Sequence, residues 1–492
     1  MPALMVQGCS SSAGKSLVTT ALARYFARQG LRVAPFKSMN MANNARVAGG
    51  GEMAAAQYLQ ALAAGVPPDV RMNPVLVKPE GENRSQVVLL GRVDAELSRT
   101  AWRGRAARLW PHIEQAYRSL AAEADLLVLE GAGSPAEFNL WDVDVANMRV
   151  AALAAAPVLL VADIDRGGAF AHLFGTWSLL PAPQQARIGG FVLNKFRGDL
   201  DLLRPAPREL HRMTGVPVAG VLPWLRHALP DEDGAAPWPS GPGPAGEDAP
   251  AVVVVRYPTA SNLDEFKPLE SVARLVWAEH PDSLAAALPG AAAAPSGAAA
   301  PGAAGGAGLV VLPGSKHVAA DLAWLRDRGF PLALTRHRRA GGRILGICGG
   351  LQMLGAAIED PFGIDGNAVG LGWLPLRTRF AQDKITRAAQ ARFTSLPPPW
   401  SALTGIEVGG YEIRHGVSAP ARPLAEAIPG GLGYADGPVL GVYLHGMFES
   451  PAVRAALFGR AGDGGLAATF DLLADAVEEH LDRALLHRMA GV

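Results

Sequence analysis

The chain has 492 residues, and at about 150 residues per domain it holds two to four domains rather than one small module. Its 45 Lys and Arg balance 45 Asp and Glu, so it lacks the cationic surplus that neutralising a nucleic-acid backbone favours. Hydrophobic residues make up 49%, with 57 Gly and 39 Pro, the composition of a chain that folds. Cys9 and Cys348 are the two cysteines, too few and too far apart for a disulfide framework or a zinc cluster, which points to a reducing, cytoplasmic setting. The start MPALMVQGCSS carries no basic segment ahead of Gly8 and reads as a buried strand rather than a signal peptide. Residues 283–315 hold no charge, yet Pro289, Pro295, Pro301 and Pro313 interrupt them, and no membrane span is expected.

Taken in chain order, short apolar runs alternate with Ala/Leu/Arg-rich helical patterns: Ala3–Gln7, Arg32–Phe36, Leu126–Glu130, Pro157–Asp163, Gly189–Asn194 and Val216–Leu222. This rhythm predicts a parallel α/β sheet over residues 1–233. The Pro/Gly-rich stretch 234–250 reads as a linker. Apolar runs resume at Ala251–Arg256, Arg274–Ala278, Leu309–Leu312, Arg343–Ile347 and Val439–Leu444, and Phe470–His487 has the spacing of a closing helix. A second α/β domain over 251–492 follows, with the Ala/Gly/Pro tract 289–308 expected to be a flexible insertion.

The first strand leads into Gly8-Cys-Ser-Ser-Ser-Ala-Gly14-Lys15-Ser16 and then a helix. That strand, glycine loop and helix suit a phosphate-cradling loop, with Lys15 on the β/γ oxygens and Ser16 on Mg²⁺. Five residues separate Gly8 from Gly14, where the common pattern has four. Glu130 ends an apolar run in EGAG and is the expected second metal ligand. Asp163 and Asp165 in VADIDRGG and Glu52 after a triple glycine complete a set of carboxylates that can converge on Mg²⁺ and substrate, although a strand-end acid also serves as a helix cap. Lys37, just past the second run, is placed to neutralise a transferring phosphoryl group or simply to sit in solvent.

In the second domain, Leu345-Gly-Ile-Cys348-Gly-Gly350 sets a cysteine between a strand and a helix, with glycines that permit a strained turn. A thiol at a helix N-terminus is a candidate nucleophile, although a lone buried Cys is more often a small hydrophobe. The amides of Gly349 and of Gly314, in the Pro313-Gly314-Ser315 turn, are candidate oxyanion donors. His445, closing VYLHG, is the candidate general base. The chemistry these residues suit is acyl transfer.

Over nearly its whole length the chain resembles the cobyric acid synthase family of glutamine-dependent amidotransferases. The resemblance rests on GCSSSAGKS, PFKSMNMANN, MNPVLVKP, SQVVLLG, EGAGSPAEFNLWDVDVANM, ADIDRGG and LNKFRGD in the first half. In the second half it rests on SNLDEFKPLE, LPGSKHVAADLAWLR, GICGGLQMLG, GGYEI and YLHGMF. The long loop spacing also resembles that of dethiobiotin synthetase. The resemblance implies a P-loop, dethiobiotin synthetase-like parallel-sheet domain followed by a flavodoxin-like class I glutaminase. It implies ATP-dependent phosphorylation of corrinoid carboxylates and their amidation by ammonia from glutamine, with adenosylcobyrinic acid a,c-diamide as substrate and its b, d, e and g carboxylates as targets. It places Lys15, Ser16, Lys37, Glu52 and Glu130 on phosphate and metal, Asn194 on adenine, and Cys348 with His445 in the glutaminase.

Class I glutaminases usually carry a Glu two residues after the histidine, and here that position is Met447. Relatives in this branch share the lack, which implies a dyad, with Glu412 as a candidate substitute. Met39 and Arg414-His415 also depart from the family's PFKxQNM and GYEIHxG patterns. Two rival readings are cobyrinic acid a,c-diamide synthase, which lacks the NLWDVDVANM and NMANN stretches, and a ParA/MinD-like nucleotide switch. The latter needs a lysine early in the loop, where Cys9 and Ser10 stand.

Overall fold

A computed structural model describes residues 1–81, 84–230, 245, 246, 248–288, 308–462 and 465–492. Most of the expected linker and all but Gly308 of the expected insertion lie outside the described residues. The chain forms two compact units, Met1–Glu232 with Gly464–Val492, and Asp233–Asp463.

The first unit is built on strands β1 (Ala3–Gly8), β2 (Val33–Phe36), β3 (Leu126–Glu130), β4 (Val158–Asp163), β5 (Ile188–Phe196) and β6 (Val218–Pro223). They form one parallel sheet in the order β6-β5-β4-β1-β3-β2. The runs are apolar throughout because both faces of the sheet are covered: Met5 and Leu127 belong to one core cluster, Leu4 and Val6 to another. Helix α1 (Lys15–Arg28) follows β1 directly. Between β2 and β3 a four-stranded sheet, made of Met39–Met41, Val75–Gly81, Arg84–Leu89 and Arg92–Asp94, and a hairpin, Ala45–Ala48 with Gly51–Ala54, precede and flank helix α2 (Ala55–Ala63).

The expected closing helix does not close the second domain. Its residues form the helices Leu466–His480 and Arg483–Ala490, which belong to the first unit. Phe470, Leu473 and Val477 join Leu22 and Phe26 of α1 in one buried cluster, and Arg24 and Arg28 pair with Asp471 at 2.8 Å and Asp475 at 2.5 Å. Periodicity identified the buried face of this helix but carries no information on which sheet it covers.

The second unit contains β7 (Ala251–Val255), β8 (Arg274–Ala278), β9 (Leu309–Leu312), β10 (Arg343–Ile347), β11 (Leu376–Arg392), β12 (Glu407–Pro420), β13 (Glu426–Ile428), β14 (Gly433–Asp436) and β15 (Val439–Val442). Its main sheet runs β8-β7-β9-β10-β15-β14-β13, parallel through β15 and antiparallel beyond it. Strands β11 and β12 pair in a long antiparallel ribbon, with a register shift between Phe380 and Ile385. The carboxyl ends of the adjacent β9, β10 and β15 carry Gly314, Cys348 and His445, the arrangement in which open α/β sheets place their ligands.

Leu473→Ala is expected to destabilise the first unit by about 2–5 kcal/mol, because its side chain is fully buried against α1. Thermal unfolding of the variant should show one transition moving to lower temperature while that of the second unit stays where it is in the wild type.

Candidate active site

In the first unit the chain leaves β1 at Gly8 and enters α1 at Lys15, with Ser12 at φ 59° and Gly14 at φ 99°. A side chain at Gly14 would be strained by that φ, and its Cβ would stand 2.0 Å from Asn194 Nδ2. The loop is held from both sides. Lys15 Nζ donates to Ser10 O and Gly133 O, each at 3.1 Å, and Asn194 Nδ2 donates to Ala13 O at 3.0 Å. Lys195, at φ 63°, donates to Ser12 O at 2.8 Å. Gly14 provides no side-chain cap, and the N-terminal end of the helix, at the end of the loop, carries the partial positive charge that favours an anion.

Glu130 lies at the centre of a buried cluster. Its Oε1 accepts from Ser16 Oγ and Lys37 Nζ, both at 2.8 Å, and its Oε2 from Gln60 Nε2 at 2.6 Å and Gln57 Nε2 at 3.4 Å. Glu130 and Lys37 are 1% and 2% exposed, so the solvated alternative for Lys37 fails. The remaining carboxylates have cationic partners of their own. Glu52 is buried against Lys78, Asp163 pairs with Lys195 at 2.8 Å and Arg166 at 3.4 Å, and Asp165 pairs with Arg197 at 3.3 Å. Asp163 Oδ1 also accepts from the Asp165 amide at 3.0 Å, a local turn bond rather than a helix cap, because the next helix begins at Ala169 after Gly168 with no side-chain cap. Among the described residues no group of three or more His, Cys, Asp or Glu could hold a metal ion. Buried Glu52, Glu130 and Asp163 each have a lysine as ion-pair partner, which offsets part of the cost of burying the charge.

Gln57 and Gln60 were missed from sequence because an apolar-faced helix containing two glutamines looks ordinary. Their spacing of three places both on one face of α2, which is the signal that was available. Burial holds Cys9 toward the neutral thiol, raising it to about 12 against the weaker opposing effects of Thr176 and Lys15.

In the second unit Cys348 lies between β10 and the helix Gly349–Leu354 at φ 51°, ψ −104°, a strained turn of the kind that presents a nucleophile. Its amide donates to Val442 O at 2.8 Å, and its Sγ lies 3.7 Å from Ile413 O on β12. Glycine is required around it. A Cβ on Gly349 would stand 2.8 Å from Ser315 N, and one on Gly314 would stand 2.9 Å from His445 Cε1. The turn carrying Gly314 is braced by Tyr257, whose hydroxyl donates to Pro313 O, and by Asp321, which accepts from Ser315 Oγ and Thr259 Oγ1 at 2.6 Å each.

His445 does not stand alone, which corrects the expectation of a dyad. Its Nδ1 is 2.9 Å from Glu265 Oε1, and Glu265 Oε2 accepts from the Gly446 amide at 2.9 Å. Glu265 belongs to the 3-10 helix Leu263–Ser271 and is fully buried. Burial disfavours the imidazolium, but the Glu265 carboxylate and the neighbouring Cys348 outweigh it and raise His445 to about 10. Glu412, the candidate substitute, is occupied elsewhere: it pairs with Arg387 and Arg414, each at 2.6 Å. Met447 is buried in the core. Glu265 precedes His445 by 180 positions, and nothing in their spacing marks them as partners. The SNLDEFKPLE stretch that carries it was visible only as part of a resemblance.

A glycine loop of the phosphate-binding kind in one unit and a Cys-His-Glu arrangement in the other suit a glutamine-hydrolysing, amide-forming ligase. Residues 4–233 match the CobQ/CobB/MinD/ParA nucleotide binding domain model, and residues 251–453 match the CobB/CobQ-like glutamine amidotransferase domain model. Proteins named cobyric acid synthase are similar throughout. That of Polaromonas naphthalenivorans is 52% identical over 99% of both chains, and that of Variovorax paradoxus 52% over 98% of both. That of Paracidovorax citrulli is 54% identical over 98% of this chain and 97% of its own. The chain belongs to the cobyric acid synthase family. No helix among the described residues is long and apolar enough to cross a membrane.

Glu265→Gln is expected to lower glutamine hydrolysis by about 10²–10⁴-fold, because the imidazole loses the charge that orients it and stabilises its protonated form. Amidation from ammonium salts should be retained, and steady-state assays with the two nitrogen sources check this. The raised pKa of His445 also makes a stability statement. Its contribution is present in full below the unfolded value of about 6.5, declines as pH rises, and is gone above about 10. Denaturation of wild type and Glu265→Gln across pH 6–10 should show the difference between them narrowing toward the alkaline end.

Proposed function

We propose that this chain amidates the b, d, e and g carboxylates of adenosylcobyrinic acid a,c-diamide, using ATP in the first unit and ammonia released from glutamine in the second. The observation that carries the reading is the Glu130 carboxylate held between Ser16 Oγ and Lys37 Nζ beside the phosphate loop. Together with the full-length similarity to cobyric acid synthases, it supports acyl-phosphate chemistry over a nucleotide switch. A substrate carboxylate oxygen attacks the γ-phosphorus, the bond to the β-phosphate oxygen breaks, and ADP departs. Ammonia then attacks the acyl carbon, and inorganic phosphate leaves as the amide forms. Lys15 and the first amides of α1 take up negative charge on the phosphates, and Lys37 balances charge at the transferring group.

Ser16 Oγ and Glu130 Oε1 are an all-oxygen pair suited to a hard cation, and these two residues would hold Mg²⁺. When bound, it supplies Lewis-acid stabilisation of phosphate charge. In the glutaminase, Cys348 Sγ attacks the side-chain amide carbon of glutamine while the Gly314 and Gly349 amides stabilise the oxyanion. His445 hands a proton to the departing ammonia, and water then cleaves the thioester to give glutamate. Asp163 supports the loop through Lys195, which also donates to Ser12 O, and Asp165 pairs with Arg197.

Incubation of the protein with ATP, Mg²⁺, glutamine and the corrinoid a,c-diamide, followed by mass analysis, tests the reading; an unchanged corrinoid refutes it. Cys348→Ser is expected to abolish glutamine-dependent amidation and keep the ammonia-dependent reaction. Lys15→Ala and Glu130→Ala are expected to lose both by at least about 10²-fold, since both residues act where the acyl phosphate is made. Near-wild-type turnover of either variant with ammonium would remove its assigned role.

A further inference from the structure

The centre described above uses no side chain of the GGYEI stretch, although that stretch lies beside it. Its tyrosine, Tyr411, is on β12, and the register of that strand sets it directly opposite His445 in an isolated antiparallel bridge. The two residues exchange both backbone bonds: the Tyr411 amide donates to His445 O at 3.2 Å, and the His445 amide donates to Tyr411 O at 2.9 Å. Residues opposed in this way project their side chains to the same face, where they meet. The phenol ring accordingly stacks on the imidazole, with centroids 5.3 Å apart and planes 20° from parallel, within the range that aromatic pairs prefer.

The close approach of the strand depends on Gly410, where a Cβ would stand 2.1 Å from His445 O. Two residues beyond Tyr411, the Ile413 carbonyl lies 3.7 Å from Cys348 Sγ. One strand therefore touches both Cys348 and His445. What Tyr411 adds follows from what Glu265 leaves free. The 2.9 Å contact to Glu265 anchors the imidazole at Nδ1, but a single hydrogen bond tolerates about 30° of misalignment before it weakens steeply. The ring torsion of a histidine is also broad and offers little resistance of its own. Yet the same imidazole must keep Cys348 as a hydrogen-bond partner. A flat ring laid against one face limits the tilt, and with Tyr411 5% and His445 2% exposed neither ring has solvent to swing into.

We propose that Tyr411 is a positioning residue of the glutaminase, whose ring holds the plane of the His445 imidazole at the angle that serves Cys348. The proposal rests on the roles given to Cys348 and His445 above. It assigns the effect to the ring face and not to the hydroxyl, so phenylalanine should serve as well.

The test follows glutamate release from glutamine by the full chain. Tyr411→Leu is expected to lower kcat by about tenfold or more while the glutamine KM changes less than about twofold, because a tilted imidazole loses proton transfer rather than substrate binding. Tyr411→Phe should keep most of the wild-type kcat. In the His445→Ala background, adding Tyr411→Leu should leave the residual rate unchanged, since the effect passes through the imidazole. If Tyr411→Leu does not fold, Tyr411→Ile is measured in its place. A leucine variant with wild-type kcat overturns the proposal, as does a phenylalanine variant as impaired as the leucine one. A further loss on top of His445→Ala also overturns it, because the residue would then act on the fold and not on the imidazole. If Cys348→Ser still releases glutamate at the wild-type rate, the roles of Cys348 and His445 fall first and take the positioning role with them.

Discussion

A carboxylate buried at the edge of a parallel sheet must be neutralised where it lies, and in each unit one such group organises the chemistry. Glu130 ends β3 with its oxygens divided between Ser16, Lys37 and two glutamines of α2. Glu265 reaches the end of β15 from a 3-10 helix and divides its oxygens between His445 and the Gly446 amide. Leaving either carboxylate unpaired in a low-dielectric interior would cost several kcal/mol. The groups that neutralise it are therefore held in place by a strong and local requirement. Those same groups are the ones the proposed reactions use.

The two sites use this constraint differently. Around Glu130 the partners are donors that can be shared with an incoming anion or exchanged for a hard cation, which suits a site that must accept ATP and release ADP. Around Glu265 the partners are fixed, because the imidazole must keep one tautomer and one orientation while its other nitrogen serves the thiol. The supporting residues follow the same division. Lys195 and Asn194 hold the phosphate loop through backbone carbonyls, and Tyr257 and Asp321 brace the turn that carries Gly314. In both units the glycines near the reacting groups leave room where a Cβ would displace a neighbour, as at Gly14 against Asn194 and Gly349 against Ser315.

Much of this was legible in the order of the residues. Gly8 to Ser16 and Gly346 to Gly350 are contiguous, and a strand, a turn and a helix that follow one another in sequence assemble wherever the strand is placed. The site groups that depend on register between distant segments were less legible. Glu52, Asp163 and Asp165 were legible as acids, but their ion-pair partners Lys78, Lys195 and Arg197 were not. Conversely, Gln57 and Gln60 carried no signal of chemistry and were brought to Glu130 by the packing of α2. The closing helix illustrates the same division: its buried face could be read from its period, but its partner, α1, could not.

The sequence by itself therefore determined the two α/β units, the phosphate loop with Lys15 and Ser16, and the cysteine turn with its histidine at a strand end. These follow from local periodicity, glycine placement and strand-to-helix order, which act over about ten residues. Only the tertiary structure decided that Glu265 completes the centre at His445, that Glu412 does not, and that the C-terminal helices cover the nucleotide-binding unit. Those outcomes depend on which surfaces bury each other and on which cation lies nearest each buried carboxylate. Both are properties of the packed chain and of contacts between residues far apart in it.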